Sequence, residues 1–302
     1  MQDPQMQDSQ MQDPTVGLDA DPSCSNTVHN IAANEIVSVL DEAAERITAV
    51  AGKIIGPELT GAKDDQYTFD VAADEAAREV FLQAGLGVFS EELVPHEANR
   101  DVVVVLDPID GSSNAARGLP WFSTSMCALD KHGMAAALVK NLVNNKTYRA
   151  VRGQGATLDG QALLPATHRP RSSRLGPADA VQLGEALVGI TDLPPLHLGW
   201  KQYRVMGSSA LDMCAVAEGI TDAYIDCTPQ GHCTWDYLGA ALICIEAGAA
   251  LGEAWNRPIV PEDLRQRRNP VVACTQALLK EALAKRRSFG ADPLKYTLST
   301  GA

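Results

Sequence analysis

Asp107-Pro108-Ile109-Asp110-Gly111-Ser112-Ser113-Asn114 is the octapeptide around which this chain is organised. It follows the run Asp-Val-Val-Val-Val-Leu at 101–106, which is too short and too uniform for a helix and predicts a central strand. Pro108 fixes φ and Gly111 permits a tight turn, so the carboxylates of Asp107 and Asp110 can converge at the strand's carboxyl end. Two carboxylates that close repel unless a cation neutralises them. No His or Cys stands beside them, so the oxygen-only set points to Mg²⁺, Mn²⁺ or Ca²⁺ rather than zinc. The spacing of an EF-hand loop is absent. Gly111-Ser112-Ser113-Asn114 then exposes backbone N–H groups, which suit an anion. One loop thus offers cation ligands and an anion cradle together, as a metal-bridged phosphate requires.

Upstream, Ile36, Leu40, Ala43, Ala44, Ile47 and Val50 recur at helical spacing and predict a helix over 31–55, ended by Gly56-Pro57. A second helix is expected over 71–84, closed by Gly85, and a short strand over 86–89 that ends at Ser90-Glu91-Glu92. Downstream, strands alternate with turns as far as Gly160. Pro165, Pro170 and Pro177 mark a connector. Helices are then expected over 208–218 and 236–247, strands over 222–227 and 271–273, and a helix over 276–285 capped by Thr275. The resulting α/β (α+β) organisation has an acidic, disordered tail over 1–27, which opens with the repeat MQDPQ-MQDSQ-MQDPT. An N-terminal subdomain over 28–170 and a C-terminal one over 171–302 follow it.

Composition narrows the function. Of 302 residues, 25 are Lys or Arg and 38 Asp or Glu, giving a net charge of −13. That balance argues against a nucleic acid polymer as partner. No run approaches 18 apolar residues, so no membrane span is expected. The N-terminus lacks the basic and apolar regions of a secretory signal. The 7 Cys include no C-x-x-C pair and are expected to be reduced, buried thiols of a cytoplasmic protein.

The octapeptide resembles the DPIDGTTN motif of the inositol monophosphatase family, within the Mg²⁺-dependent, lithium-sensitive phosphatase superfamily that includes fructose-1,6-bisphosphatase. Other stretches match in order along the chain. Lys63 and Asp74 resemble an upstream K…D pair, and Phe89-Ser90-Glu91-Glu92 a GEE strand end. The segment 153–160 resembles a G-x-GA-x-x-NG hairpin, and 206–214 the GS-x-A-x-x-x-C helix start. Trp235-Asp236 with Glu246-Ala247-Gly248 resembles WD-x-AAG…EAGG.

The resemblance covers roughly residues 30–290 and implies a layered α-β-α-β-α sandwich with the site between its halves. It assigns metal binding to the side chains of Glu91, Asp107, Asp110 and Asp236 and to the Ile109 carbonyl, with two or three Mg²⁺ ions and Mn²⁺ as the alternative. Asp74, Ser112 and Glu91 would be catalytic, with Asp74 and Ser112 orienting the attacking water. The backbone of Gly111 and Ser112, with Ser113, would hold the phosphate, and Ser208, Ser209 and Asp226 would face the substrate's hydroxyls. Hydrolysis of a small-molecule phosphate ester, inositol 1-phosphate foremost, and a homodimer are implied too. The alternatives are histidinol phosphate, fructose 1,6-bisphosphate or 3′-phosphoadenosine 5′-phosphate as substrate, or a non-catalytic binding protein on the same fold.

The sequence departs from the pattern at Ser90, Ser112 and Ala249, and the loop before Trp235 is longer than usual. Asp226 has two readings, a strand-end cap or a substrate contact. His232 and Cys233 together make no zinc site. His232 is expected only to be hydrogen-bonded or at the surface.

Overall fold

The computed structural model describes residues 33–53, 58–59, 67–93, 95–96, 99–164 and 181–288. The acidic tail, Cys24, Lys63 and the arginines at 169, 171 and 174 lie outside the described residues. Two helices come first, α1 (Ala33–Ala51) and α2 (Thr68–Gln83). Ile36, Leu40, Ala43, Ala44 and Ile47 are buried along one stripe of α1, as their spacing requires. Helix α2 begins three residues earlier than its apolar pattern suggested, at Thr68.

A first sheet takes β1 (Gly87–Ser90), β2 (Val103–Asp110), β3 (Ser123–Asp130), β4 (Gly133–Asn141), β5 (Thr147–Val151), β6 (Gly155–Leu158) and β7 (Gln161–Ala162) in chain order. Strands β1 and β2 are parallel and every later neighbour is antiparallel. The short helix α3 (Ser112–Arg117) follows β2. A second sheet is built from β8 (Leu187–Ile190), β9 (Gln202–Arg204), β10 (Ala223–Ile225), β11 (Ala250–Glu253) and β12 (Pro270–Ala273), in the spatial order β11-β12-β10-β8-β9. Between its strands run α4 (Ser209–Glu218) and α5 (Thr234–Glu246), and α6 (Gln276–Arg287) follows β12.

The layers follow from which faces are apolar. Val105, Cys127, Ala137 and Val139 of the first sheet share one buried cluster with residues of α4 and α5 and with Tyr224 and Val272 of the second sheet. Helices α4 and α5 therefore lie between the sheets. Helices α1 and α2 contact the first sheet, whose alternate residues Val104, Leu106, Met126 and Leu138 are buried as well. Val188, Ile190, Ile225 and Val271 of the second sheet pack on Leu278, Leu279 and Ala282 of α6. The order is α-β-α-β-α. The six described cysteines are all free and buried within it.

One element differs from its expectation in a way that matters for function. Strand β2 does not stop before Asp107 but continues through Asp110. Its pairing with β3 steps from Asp107↔Ser125 to Asp110↔Ser123, which sets three residues of β2 against two of β3. Pro108 has no N–H to give the ladder, and the extra residue is a bulge. In a regular strand, residues three apart face opposite sides. The bulge restores Asp107 and Asp110 to one face, opposite Ser125 and Ser123.

Candidate metal centre

Three elements deliver carboxylates to one place. Glu91 follows the last residue of β1, Asp107 lies in β2, and Asp236 lies in the first turn of α5. One oxygen from each falls within 4.8 Å of the others. Asp107 is 2% exposed, and its Oδ1 has no hydrogen-bond partner among the described residues. Burial, then the charges of Glu91, Asp110 and Asp236, holds the Asp107 carboxyl well above the usual carboxylate range. Loss of solvent and then Asp236, Glu92 and Asp70 do the same to Glu91. Glu91 and Asp107 thus sit among like charges that a cation between them would neutralise. An all-oxygen donor set with an orphaned, buried oxygen fits a hard divalent ion.

Asp110 stands beside this cluster but is tied to α4. Its Oδ2 accepts from Ser208 Oγ at 2.6 Å and Ala210 N at 2.8 Å, and its Oδ1 accepts from Ser209 N at 3.2 Å. Ser208 is also the N-cap of α4 and accepts from Leu211 N. Burial pushes Asp110 up to about 6, against the pull of those hydrogen bonds. Ile109 is buried at the bulge.

Gly111 has φ 91°, and a Cβ there would lie 2.8 Å from the Gly207 carbonyl oxygen. Only glycine lets β2 turn into α3 so close to the start of α4. Asn114 fixes the same crossing, donating Nδ2–H to the carbonyls of Trp121 and Met206 at 2.8 Å each. Ser112 and Ser113 open α3. Ser112 is half-buried and Ser113 exposed, and the Ser112 hydroxyl has no hydrogen-bond partner among the described residues.

Asp74 is fully buried on α2. Its Oδ2 accepts from Ser90 Oγ, and its Oδ1 accepts from Arg78 Nε at 3.2 Å. Burial raises its pKa, and Ser90 and Arg78 oppose the rise. Ser90, the departure from the family's glycine, is thus a partner of Asp74.

The residues assigned to the substrate's hydroxyls turn inward. Ser209 Oγ lies 3.2 Å from His232 Nε2. Asp226 is fully buried and accepts from Thr228 N, Thr228 Oγ1 and Asn269 Nδ2 at 2.8, 2.6 and 2.7 Å, bonds of the kind a strand-end cap makes.

One group, Asp70, went unnoticed in the sequence, and a second, His232, was read only as a hydrogen-bonded or surface histidine. Asp70, one turn before Asp74, is 2% exposed. Burial and the charge of Glu92 push it up to about 8. His232 is buried in contact with Asp236, and its only signal was its place four residues before that aspartate. Burial works against its charged form, but Asp226 and Asp236 outweigh that and carry it up to about 9.

A family model described as the inositol monophosphatase family matches residues 26–290. The chain is 31% identical over 190 residues to inositol monophosphatase 1 of Sus scrofa, a match spanning 60% of this chain and 64% of that protein. It is 27% identical over 198 residues to a fructose-1,6-bisphosphatase/inositol-1-monophosphatase of Methanocaldococcus jannaschii, spanning 66% of this chain and 74% of that one. It is also 29% identical to the Nus factor SuhB of Pasteurella multocida over 63% of this chain and 72% of that protein. In fold, it resembles the inositol monophosphatase from Anabaena (Nostoc) sp. PCC 7120 with a TM-score of 0.66 at 19% identity, covering 87% of this chain and 98% of that one.

Proposed function

This chain belongs to the inositol monophosphatase family of phosphatases, and from that premise we propose that it hydrolyses inositol 1-phosphate or a similar polyol or sugar phosphate with Mg²⁺. The observation that carries this reading is the convergence of Glu91, Asp107 and Asp236 within 4.8 Å. Glu91, Asp107 and Asp236 would hold the cation, with Asp110 and the Ile109 carbonyl beside them. Bound divalent ions supply positive charge for the ester's oxygens and lower the pKa of water.

The remaining work belongs to the chain. Asp74, steadied by Ser90 and Arg78, accepts the hydrogen bond that orients the attacking water, and the hydroxyl of Ser112 shares that task. The backbone of Gly111 and Ser112, with Ser113, holds the phosphate. Ser208 acts through Asp110, whose Oδ2 it holds. Inhibition by lithium, a homodimeric state and a cytoplasmic location accompany this reading. Among the described residues, no helix is long and apolar enough to cross a membrane.

A second substrate class has its own support, since the M. jannaschii relative is named for both fructose 1,6-bisphosphate and inositol 1-phosphate. Phosphate release should be measured from inositol 1-phosphate, fructose 1,6-bisphosphate, histidinol phosphate and 3′-phosphoadenosine 5′-phosphate, with Mg²⁺, without it, and with added Li⁺. Mg²⁺-dependent, Li⁺-sensitive release with a preference for inositol 1-phosphate is expected. A preference for another ester would move the assignment to that substrate, and no release from any of them would overturn it.

A further inference from the structure

His232 is 5% exposed in the loop between β10 and α5. Its Nδ1 lies 3.2 Å from Asp236 Oδ2. A carboxylate oxygen only accepts, so Nδ1 carries a proton directed at it. The same oxygen accepts the Cys233 backbone N–H at 2.8 Å, half of a capping box at the start of α5. Two donors thus converge on Oδ2 and restrain the carboxylate's rotation.

The imidazole is itself fixed on every side. Nε2 faces Tyr224 Oη at 2.7 Å, Thr191 Oγ1 at 3.1 Å, Ser209 Oγ at 3.2 Å and Asp226 Oδ1 at 3.6 Å. The backbone of His232 exchanges both hydrogen bonds with Arg268, at 2.7 and 2.9 Å. Asp226 is anchored in turn by Asn269, and Arg286 Nε from α6 donates to the Asp226 carbonyl at 2.6 Å. A continuous set of contacts runs from the second sheet through one ring to one carboxylate of the metal cluster.

We propose that His232 is a positioning residue for Asp236, holding Oδ2 so that the carboxylate presents a fixed oxygen to a cation shared with Glu91 and Asp107. Ser209 and Asp226 then act through His232 rather than on the substrate. This inference rests on the cation site of the proposed function. Partners of this kind affect metal affinity by about 10- to 100-fold when removed.

The test is Mn²⁺ binding to the full-length, substrate-free protein, read from the electron paramagnetic resonance signal of free Mn²⁺. His232→Ala should weaken binding by about tenfold or more. At saturating metal its KM for the phosphate ester should stay near that of the wild type. His232→Asn places an amide N–H near the Nδ1 position and should restore tight binding, whereas His232→Gln reaches toward Nε2 and should not. The Asn and Gln variants decide the matter if His232→Ala fails to fold. Equal Mn²⁺ affinity in the Asn and Gln variants, or unchanged affinity in His232→Ala, would overturn the inference. Unchanged metal binding with a raised KM would place His232 on the substrate instead. A wild-type protein that binds no Mn²⁺ would remove the cation site itself, and this inference with it.

Discussion

Asp70 shows what a single buried carboxyl costs this protein. It is 2% exposed, its Oδ1 has no hydrogen-bond partner among the described residues, and its pKa is pushed up to about 8 by burial and by Glu92. A carboxyl whose folded pKa exceeds its unfolded value of 3.8 binds its proton more tightly in the folded state. Its contribution to stability is fully present below about pH 4 and is lost as pH rises toward 8. Asp70→Asn removes that dependence. In metal-free denaturant unfolding, the variant should gain on the wild type as pH rises from 4 to 8, by an amount on the order of a few kcal/mol. A constant difference across that range would mean that Asp70 ionises normally. Asp70 did not stand out in the sequence, and Ser90 did so only as a departure from the family's glycine, because an acid on a helix and a serine at a strand end are ordinary until the fold sets Ser90 against Asp74 and Asp70 within reach of the charge of Glu92. Asp107 and Asp110 stood out because a short motif fixes the turn chemistry that carries them, and Asp236 stood out only through the family resemblance of Trp235-Asp236.

Helix α5 carries Asp236 and is pressed onto the first sheet by a glycine. A Cβ at Gly239 would lie 2.7 Å from Ser125 Oγ and 3.0 Å from the Met126 carbonyl oxygen. Ser125 can turn aside, but the backbone of β3 cannot. Gly239→Ala should therefore destabilise the fold by roughly 1–3 kcal/mol despite alanine's higher helix propensity, read as a lowered denaturation midpoint at unchanged slope. A rise in stability would show that α5 has room to move. Strand β3 also explains what the sequence missed in β2. Its apolar run ended at Leu106, so periodicity stopped the strand there, yet the strand continues to Asp110 through a bulge at Pro108 and Ile109. Pro108 was read only as fixing φ in a turn, and the neighbouring β3 supplies the ladder that carries the chain past it.

Across the molecule, single elements were legible because they leave an apolar period, 3.6 in α1 and a near-continuous run in β2, whereas their layered order came from the family resemblance. The web around His232 was not legible, since it joins Thr191, Ser209, Tyr224, Asp226 and Asp236 from separate elements. The fold gathers acids from β1, β2 and α5 at a point where they repel one another. A cation that relieves this repulsion is the premise of the proposed chemistry. Phosphate release from inositol 1-phosphate, followed against Mg²⁺ concentration for the wild type and Asp107→Asn side by side, addresses that premise. Release that saturates with Mg²⁺ in the wild type and falls by about 10²-fold or more in Asp107→Asn is predicted. Release that is independent of Mg²⁺, or equal in the two proteins, would contradict it.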